Sequence, residues 1–260
     1  MLLRTPAMVA AATLAAACAL TGTARAGTTT ATCGQGTYAY AGLGERELAS
    51  GVSATIVPTA VPTVRSGHVD GWVGVGGPGM GPRGTDEWIQ VGLTSVPNES
   101  QSSIYYEIVR PGHSDVTREL RRVVRVGEVH RFAVRELANK PDWWRVWVDG
   151  APVSAPVFLP ASHSRWTAQA VGESWAGTTS GLCNAYAYGF TNVAFASARD
   201  GVWSAFRRFQ PFQSANYLLV RRSASSFLAR SVLAPARIAA TLKNEQGGLT
   251  AAPVSQLPGA

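Results

Sequence analysis

Histidine, cysteine and charge are all scarce in this 260-residue sequence, which has four His, three Cys and only 15% charged residues. His68, His113, His130 and His163 show no metal-ligand spacing, so no metal is expected, nor any other cofactor. A Gly-x-Ser-x-Gly nucleophile elbow is missing, and neither Cys33 nor Cys183 sits in a nucleophile context. Gly74-x-Gly76-Gly77 is not a dinucleotide loop, because no helix follows it. No internal repeat is present, and no amphipathic helix of useful length precedes about Phe227. The apolar run 7–20 is shorter than the ~20 residues a membrane-spanning helix needs.

That run has another meaning. It follows a short segment carrying Arg4 and ends at Ala24-Arg25-Ala26, the order of a secretory signal with its small-residue cleavage site. Residues 1–26 are therefore read as a signal peptide and the protein as secreted and extracellular, with no stable membrane association after cleavage. Ala15-Ala16-Ala17-Cys18 loosely resembles a lipoprotein cleavage box and remains the alternative. Loss of 1–26 removes Cys18. The remaining Cys33 and Cys183 would then form a disulfide in an oxidising compartment. Residues 27–64 form an N-terminal segment, in part processed, within which 50–64 reads as a processed linker or an edge strand. Residues 234–260 are small, polar and Pro/Gly-punctuated, the composition of a disordered tail. A single domain is assigned to 65–233. The formal charge of +7 falls to +5 without Arg4 and Arg25, and the remaining Arg are scattered. This suits solubility, not nucleic-acid recognition. A monomer is expected.

What the sequence does have is period two. Apolar residues alternate with polar ones, and Gly, Pro, Asn or Asp interrupt every eight to twelve residues. Strands are predicted at 68–75, 87–94, 104–110, 120–126, 129–136, 143–148, 167–174, 186–196, 202–206 and 217–222. The fold class is all-β, with antiparallel strands in a sandwich or barrel. Asp149-Gly150 marks a tight hairpin, and the Gly/Pro run 76–82 a loop beside a strand end. Alternation also sorts faces. Ile89, Val91 and Leu93 point to the core and Trp88, Gln90 and Gly92 away from it. Trp144, Val146 and Val148 oppose Trp143, Arg145 and Trp147. Tyr106 and Ile108 oppose Tyr105 and Glu107. The outer faces thus carry aromatics beside single polar groups, a wall suited to a polymer-binding cleft.

Four segments in this order carry a family resemblance: Trp72-Val73-Gly74-Val75, Trp88-Ile89-Gln90-Val91-Gly92, Tyr105-Tyr106-Glu107 and Ala168-Gln169-Ala170-Val171-Gly172-Glu173. They resemble the glutamic peptidases, or eqolisins. The resemblance implies a concanavalin A-like jelly-roll sandwich of two packed antiparallel sheets, and secretion. It implies acid-acting hydrolysis of a polypeptide substrate. The family's strand Leu-Gln-x-Gly places the catalytic Gln on Gln90. Its Ala-Glu-Trp-Ile-x-Glu places the catalytic Glu on Glu173, and a supporting Glu falls on Glu107. Trp72, Tyr105, Trp143 and Trp147 complete the expected substrate wall. Two positions depart from the pattern: Gly76 stands where the family carries an acidic residue, and Ala170 where it carries Trp.

In that chemistry a carboxylate takes a proton from an attacking water, and a neutral amide stabilises the oxyanion. Placing Gln90 and Glu173 on neighbouring strands would let them grip one water. Two alternatives stay open on the same sandwich: a glycan hydrolase using Glu107 and Glu173, and a non-catalytic carbohydrate- or cell-wall-binding module.

Overall fold

The computed structural model describes residues 38–160, 162–175, 184–199 and 201–232. The signal 1–26, the tail 234–260, Cys33 and Cys183 lie outside the described residues. The strands run in chain order as β1 (Tyr38–Leu48), β2 (Gly51–Pro58), β3 (Thr63–Val64), β4 (His68–Gly77), β5 (Glu87–Ser95), β6 (Ser102–Val109), β7 (Val116–Val124), β8 (His130–Leu137) and β9 (Lys140–Val148). They continue as β10 (Ala151–Pro152), β11 (Val157–Phe158), β12 (Thr167–Trp175), β13 (Asn184–Ala185), β14 (Ala187–Ala196), β15 (Trp203–Ala205), β16 (Phe209–Gln213), β17 (Tyr217–Arg221) and β18 (Phe227–Ser231).

Two large antiparallel sheets pack as a sandwich, as expected for the fold class. One has the order β16-β1-β12-β4-β5-β6-β7. The other runs β10-β9-β8-β2-β14-β18-β17, with β11 and β15 attached to β9 and β14. The alternation read from sequence is what the sheets bury. Ile89, Val91 and Leu93 of β5 are fully buried between the sheets, as are Trp144 and Val146 of β9. Large rings close the interior. Trp144 stacks on Trp166 at 6.2 Å, and Tyr186 lies between Tyr188 and Tyr217 at 5.5 and 5.6 Å.

The domain begins earlier than the predicted boundary at 65. β1 sits inside the first sheet, between β12 and β16, and β2 inside the second, between β8 and β14. β2 is buried on both faces along nearly all its length, Ser53 included. A strand covered on both faces has no polar–apolar alternation to announce it. Its Ser, Thr and Pro therefore read as linker or edge strand.

The first sheet carries the groove. On β4, Val69, Val73 and Val75 go to the core, which turns His68, Asp70, Trp72 and Gly74 to the opposite face. The same alternation on β12 sends Gln169 and Glu173 there, and on β5 it sends Trp88 and Gln90. Gly76 has φ of +86°, where a Cβ would be strained, and so turns β4 out into the Gly/Pro loop.

Candidate active site

A cavity of about 630 Å³ opens on that face of the first sheet. β1 contributes Tyr38 and Tyr40, β4 His68, Asp70 and Trp72, β5 Trp88 and Gln90, β6 Tyr105 and Glu107, and β12 Gln169 and Glu173. Five predicted site residues, Trp72, Gln90, Tyr105, Glu107 and Glu173, therefore meet in one groove.

Gln90 is held from two sides. Its side-chain amide donates to the Tyr105 hydroxyl and to Glu107 Oε2, each at 3.0 Å. The register makes this possible, since Gln90 stands directly opposite Glu107 on β6. Glu107 also accepts from the Trp88 indole at 3.2 Å. Burial, and then the charge of Glu173, raise the Glu107 carboxyl above its ordinary range against the pull of the Trp88 bond.

Glu173 is 6% exposed, and its Oε2 accepts the Trp72 indole N–H at 3.0 Å. Its Oε1 lies 3.3 Å from His68 Nε2. His68 Nε2 is in turn 3.5 Å from Asp70 Oδ2, which accepts the Tyr105 hydroxyl at 2.9 Å. A continuous polar chain therefore runs Gln90–Tyr105–Asp70–His68–Glu173. Burial pulls the His68 imidazole down, but its bond to Glu173 and the charges of Asp70 and Glu173 outweigh this and raise it to about 9. Burial raises Asp70 to about 7, even with His68 beside it. Tyr105 is pushed up by burial and the surrounding carboxylates.

Three expectations need correction. Gln90 and Glu173 are not on neighbouring strands: β4 lies between β5 and β12. Glu173 pairs with Asp70 while Gln90 pairs with Gly74, four residues further along β4. Two strand spacings and four residues put the two backbones about 16 Å apart, and the Gln90 amide reaches to Glu107 on β6, the side of β5 away from β4. The two groups are therefore not placed to grip one shared water directly. Gln169, which also pairs with Gly74, faces Gln90 across it and donates to the Gly76 carbonyl at 3.0 Å. A Cβ on Gly74 would lie 2.8 Å from the Gln90 Cβ, so only glycine lets β5 close in at this position.

Second, Trp143 and Trp147 belong to β9 of the other sheet and do not line the groove. Trp143 packs on Phe158 at 5.6 Å, and Trp147 is buried against Ala133 and Trp203. Alternation gives the face of a strand but not the sheet it joins.

Third, His68 does have partners of metal-ligand type. One ligand atom each from His68, Asp70 and Glu173 lies within 4.8 Å of the others. The sequence signal was there in His68-x-Asp70, which strand periodicity places on one face, next to the outward Trp72.

No protein-family model and no curated protein matches the sequence. Solved structures do. A scytalido-glutamic peptidase bound to a peptide-based transition state analog superposes with a TM-score of 0.54 at 14% identity, over 76% of this chain and 99% of that one. The same peptidase with a transition state analog inhibitor gives 0.52 at 12%, with the same coverage. SCP-B, a member of the eqolisin family in complex with the tripeptide Ala-Ile-His, gives 0.50 at 14%, again over 76% and 99%. The fold is that of the glutamic peptidases. The resemblance read from Trp72 to Glu173 thus extends, as a fold, through most of the described chain.

Proposed function

We propose that this protein is an exported endopeptidase of the glutamic-peptidase kind, acting on polypeptides in acid. Glu173 takes the proton from the attacking water and returns it to the leaving amine. The Gln90 amide gives up its bond to the Tyr105 hydroxyl and donates to the oxygen that gains charge, a contribution of about 3–4 kcal/mol where such donors have been removed elsewhere. The observation that carries this reading is the pinning of the two groups. Trp72 fixes the carboxylate and Tyr105 with Glu107 fixes the amide, both on one face of this fold, with a groove over them. Groups held in place on rigid strands need little reorganisation as charge develops, which is what makes them worth more than the same groups in water. Gln90 suits the role because it donates without adding a charge to a groove already lined by carboxylates.

The test is cleavage of a denatured protein by the purified chain between about pH 2 and 6, a range set by the carboxyl pKa values it relies on. Hydrolysis should resist serine-, cysteine- and metal-directed inhibitors, and Glu173→Gln and Gln90→Ala should each abolish it. Absence of cleavage throughout that range overturns the reading.

One observation favours a second reading. Asp70 and Glu173 bring two carboxylates within 4.8 Å in an aromatic-lined groove, close to the spacing of about 5–5.5 Å used by retaining glycan hydrolases. Release of reducing ends from a polysaccharide would decide for it.

A further inference from the structure

We propose that His68, Asp70 and Glu173 form a binding site for a divalent transition-metal ion of the zinc type, whose occupation withdraws Glu173 from catalysis. The donor set, one imidazole and two carboxylates with an opening toward the groove, is of the kind zinc takes. The spacing agrees. Donors around a tetrahedral zinc at about 2.0–2.1 Å stand roughly 3.3–3.4 Å from one another. His68 Nε2 is 3.3 Å from Glu173 Oε1 and 3.5 Å from Asp70 Oδ2. A charge-assisted hydrogen bond between the same groups would settle at about 2.7–2.9 Å. One imidazole N–H, moreover, can point at only one of two carboxylates.

A second observation points to a missing ligand. Asp70 is 3% exposed, and its Oδ1 has no partner in hydrogen-bond geometry. Thr94, across the strand pair, acts on the Asp70 carboxylate as a weak side-chain hydrogen-bond donor and lowers its pKa by less than burial raises it. A buried carboxylate oxygen without a well-placed partner is costly, and a cation held by Oδ1 together with Oδ2 would satisfy it.

The surroundings already have the form of an outer shell. The Trp72 indole fixes one Glu173 oxygen and the Tyr105 hydroxyl one Asp70 oxygen. The His68 ring is clamped by stacking on Trp175 at 5.7 Å. Such partners orient first-coordination groups and set metal affinity. Asp86, Glu107 and Glu119 also line the groove, so a chain of net charge +7 presents an acidic cavity that concentrates cations.

Binding does not depend on the peptidase reading; the inhibitory consequence does. The full chain, stripped of metal at neutral pH, is incubated with zinc chloride, gel-filtered and its zinc counted. Cobalt(II) replaces zinc in a parallel sample for visible absorption. One zinc retained per chain, with cobalt bands of a low-coordinate N/O site, is expected. His68→Ala and Asp70→Asn should each weaken binding at least about tenfold, and the near-isosteric Asp70→Asn guards against a folding defect in the first. Failure of the wild type to retain zinc, or equal retention by both variants, overturns the site. In the peptide-cleavage assay, run near pH 6 where zinc competes best with protons for His68 and Asp70, zinc should suppress hydrolysis and a chelator restore it. Hydrolysis that instead requires zinc overturns the inhibitory role. If no cleavage occurs under any condition the peptidase reading fails, and the zinc count still decides the site.

Discussion

Gln90 and Glu107 stand opposite each other on β5 and β6, with the amide nitrogen 3.0 Å from the carboxylate. This bond dictates which end of the Gln90 amide faces the groove. With Glu107 accepting, the nitrogen side is turned toward Tyr105 and the substrate, and the carbonyl away. Glu107→Gln removes that bias, because a second amide accepts as readily as it donates. We expect kcat for peptide cleavage to fall about 10- to 100-fold, as for a misplaced oxyanion donor, with KM little changed. An unaltered kcat would show that Glu107 does not orient the amide.

Trp72 does for Glu173 what Glu107 does for Gln90. Its indole N–H donates to Glu173 Oε2 at 3.0 Å, while His68 stands 3.3 Å from the other carboxylate oxygen. Trp72→Phe keeps the ring and deletes the donor. The expected outcome is a kcat lowered by about tenfold, the equivalent of ~1.4 kcal/mol, and a melting temperature within a few degrees of the parent. Steady-state kinetics beside thermal denaturation separates the two effects.

Much of this site was legible in the sequence, for a definite reason. Gln90, Tyr105 and Glu107 lie on strands whose other face carries Ile, Val, Leu and Tyr106, so period two assigns their side, while Glu173 was reached through the family resemblance. Sheet membership was not legible. Trp143 and Trp147 alternate just as Trp88 does, yet β9 pairs with β8 in the other sheet. Nor was strand order. β12 joins β4 across almost a hundred residues of chain, and only long-range pairing reveals that β4 separates Gln90 from Glu173. His68 and Asp70 were missed for a simpler cause. The histidines show no metal-ligand spacing among themselves, and only a strand face brings His68 and Asp70, two residues apart, to one side.

Because of that misplacement, Trp147 makes a clean control. It is 4% exposed, packed on Ala133 and Trp203, with the Arg145 guanidinium 5.9 Å from its ring. Trp147→Ala should cost about 3–5 kcal/mol of stability, the usual range for deleting a buried large aromatic. KM for peptide substrates, measured where the variant is folded, should stay put. A KM raised severalfold would return Trp147 to the substrate wall.

Glu87 gives the fold a preference for acid. It opens β5 on the core-facing side, is fully buried, and neither carboxylate oxygen has a hydrogen-bond partner. Burial, and then the charge of Asp142, raise it to about 7 from an ordinary 4.5. In the unfolded chain it titrates near the ordinary value, so between these two values the folded state holds a proton that the unfolded state has lost. Its contribution to stability is therefore whole below about 4.5 and is lost as pH rises through about 7. The melting temperature should drop by roughly 10 °C between acid and mildly alkaline buffer from this group, the scale that follows from its shift and from how far a kcal/mol moves a domain of this size. Glu87→Gln, which cannot ionise, should flatten that slope, matching the parent in acid and exceeding it above pH 7. Denaturation scans of both proteins across the range read this directly. A parent whose stability instead climbs steadily with pH would show that Glu87 finds compensation near Asp142.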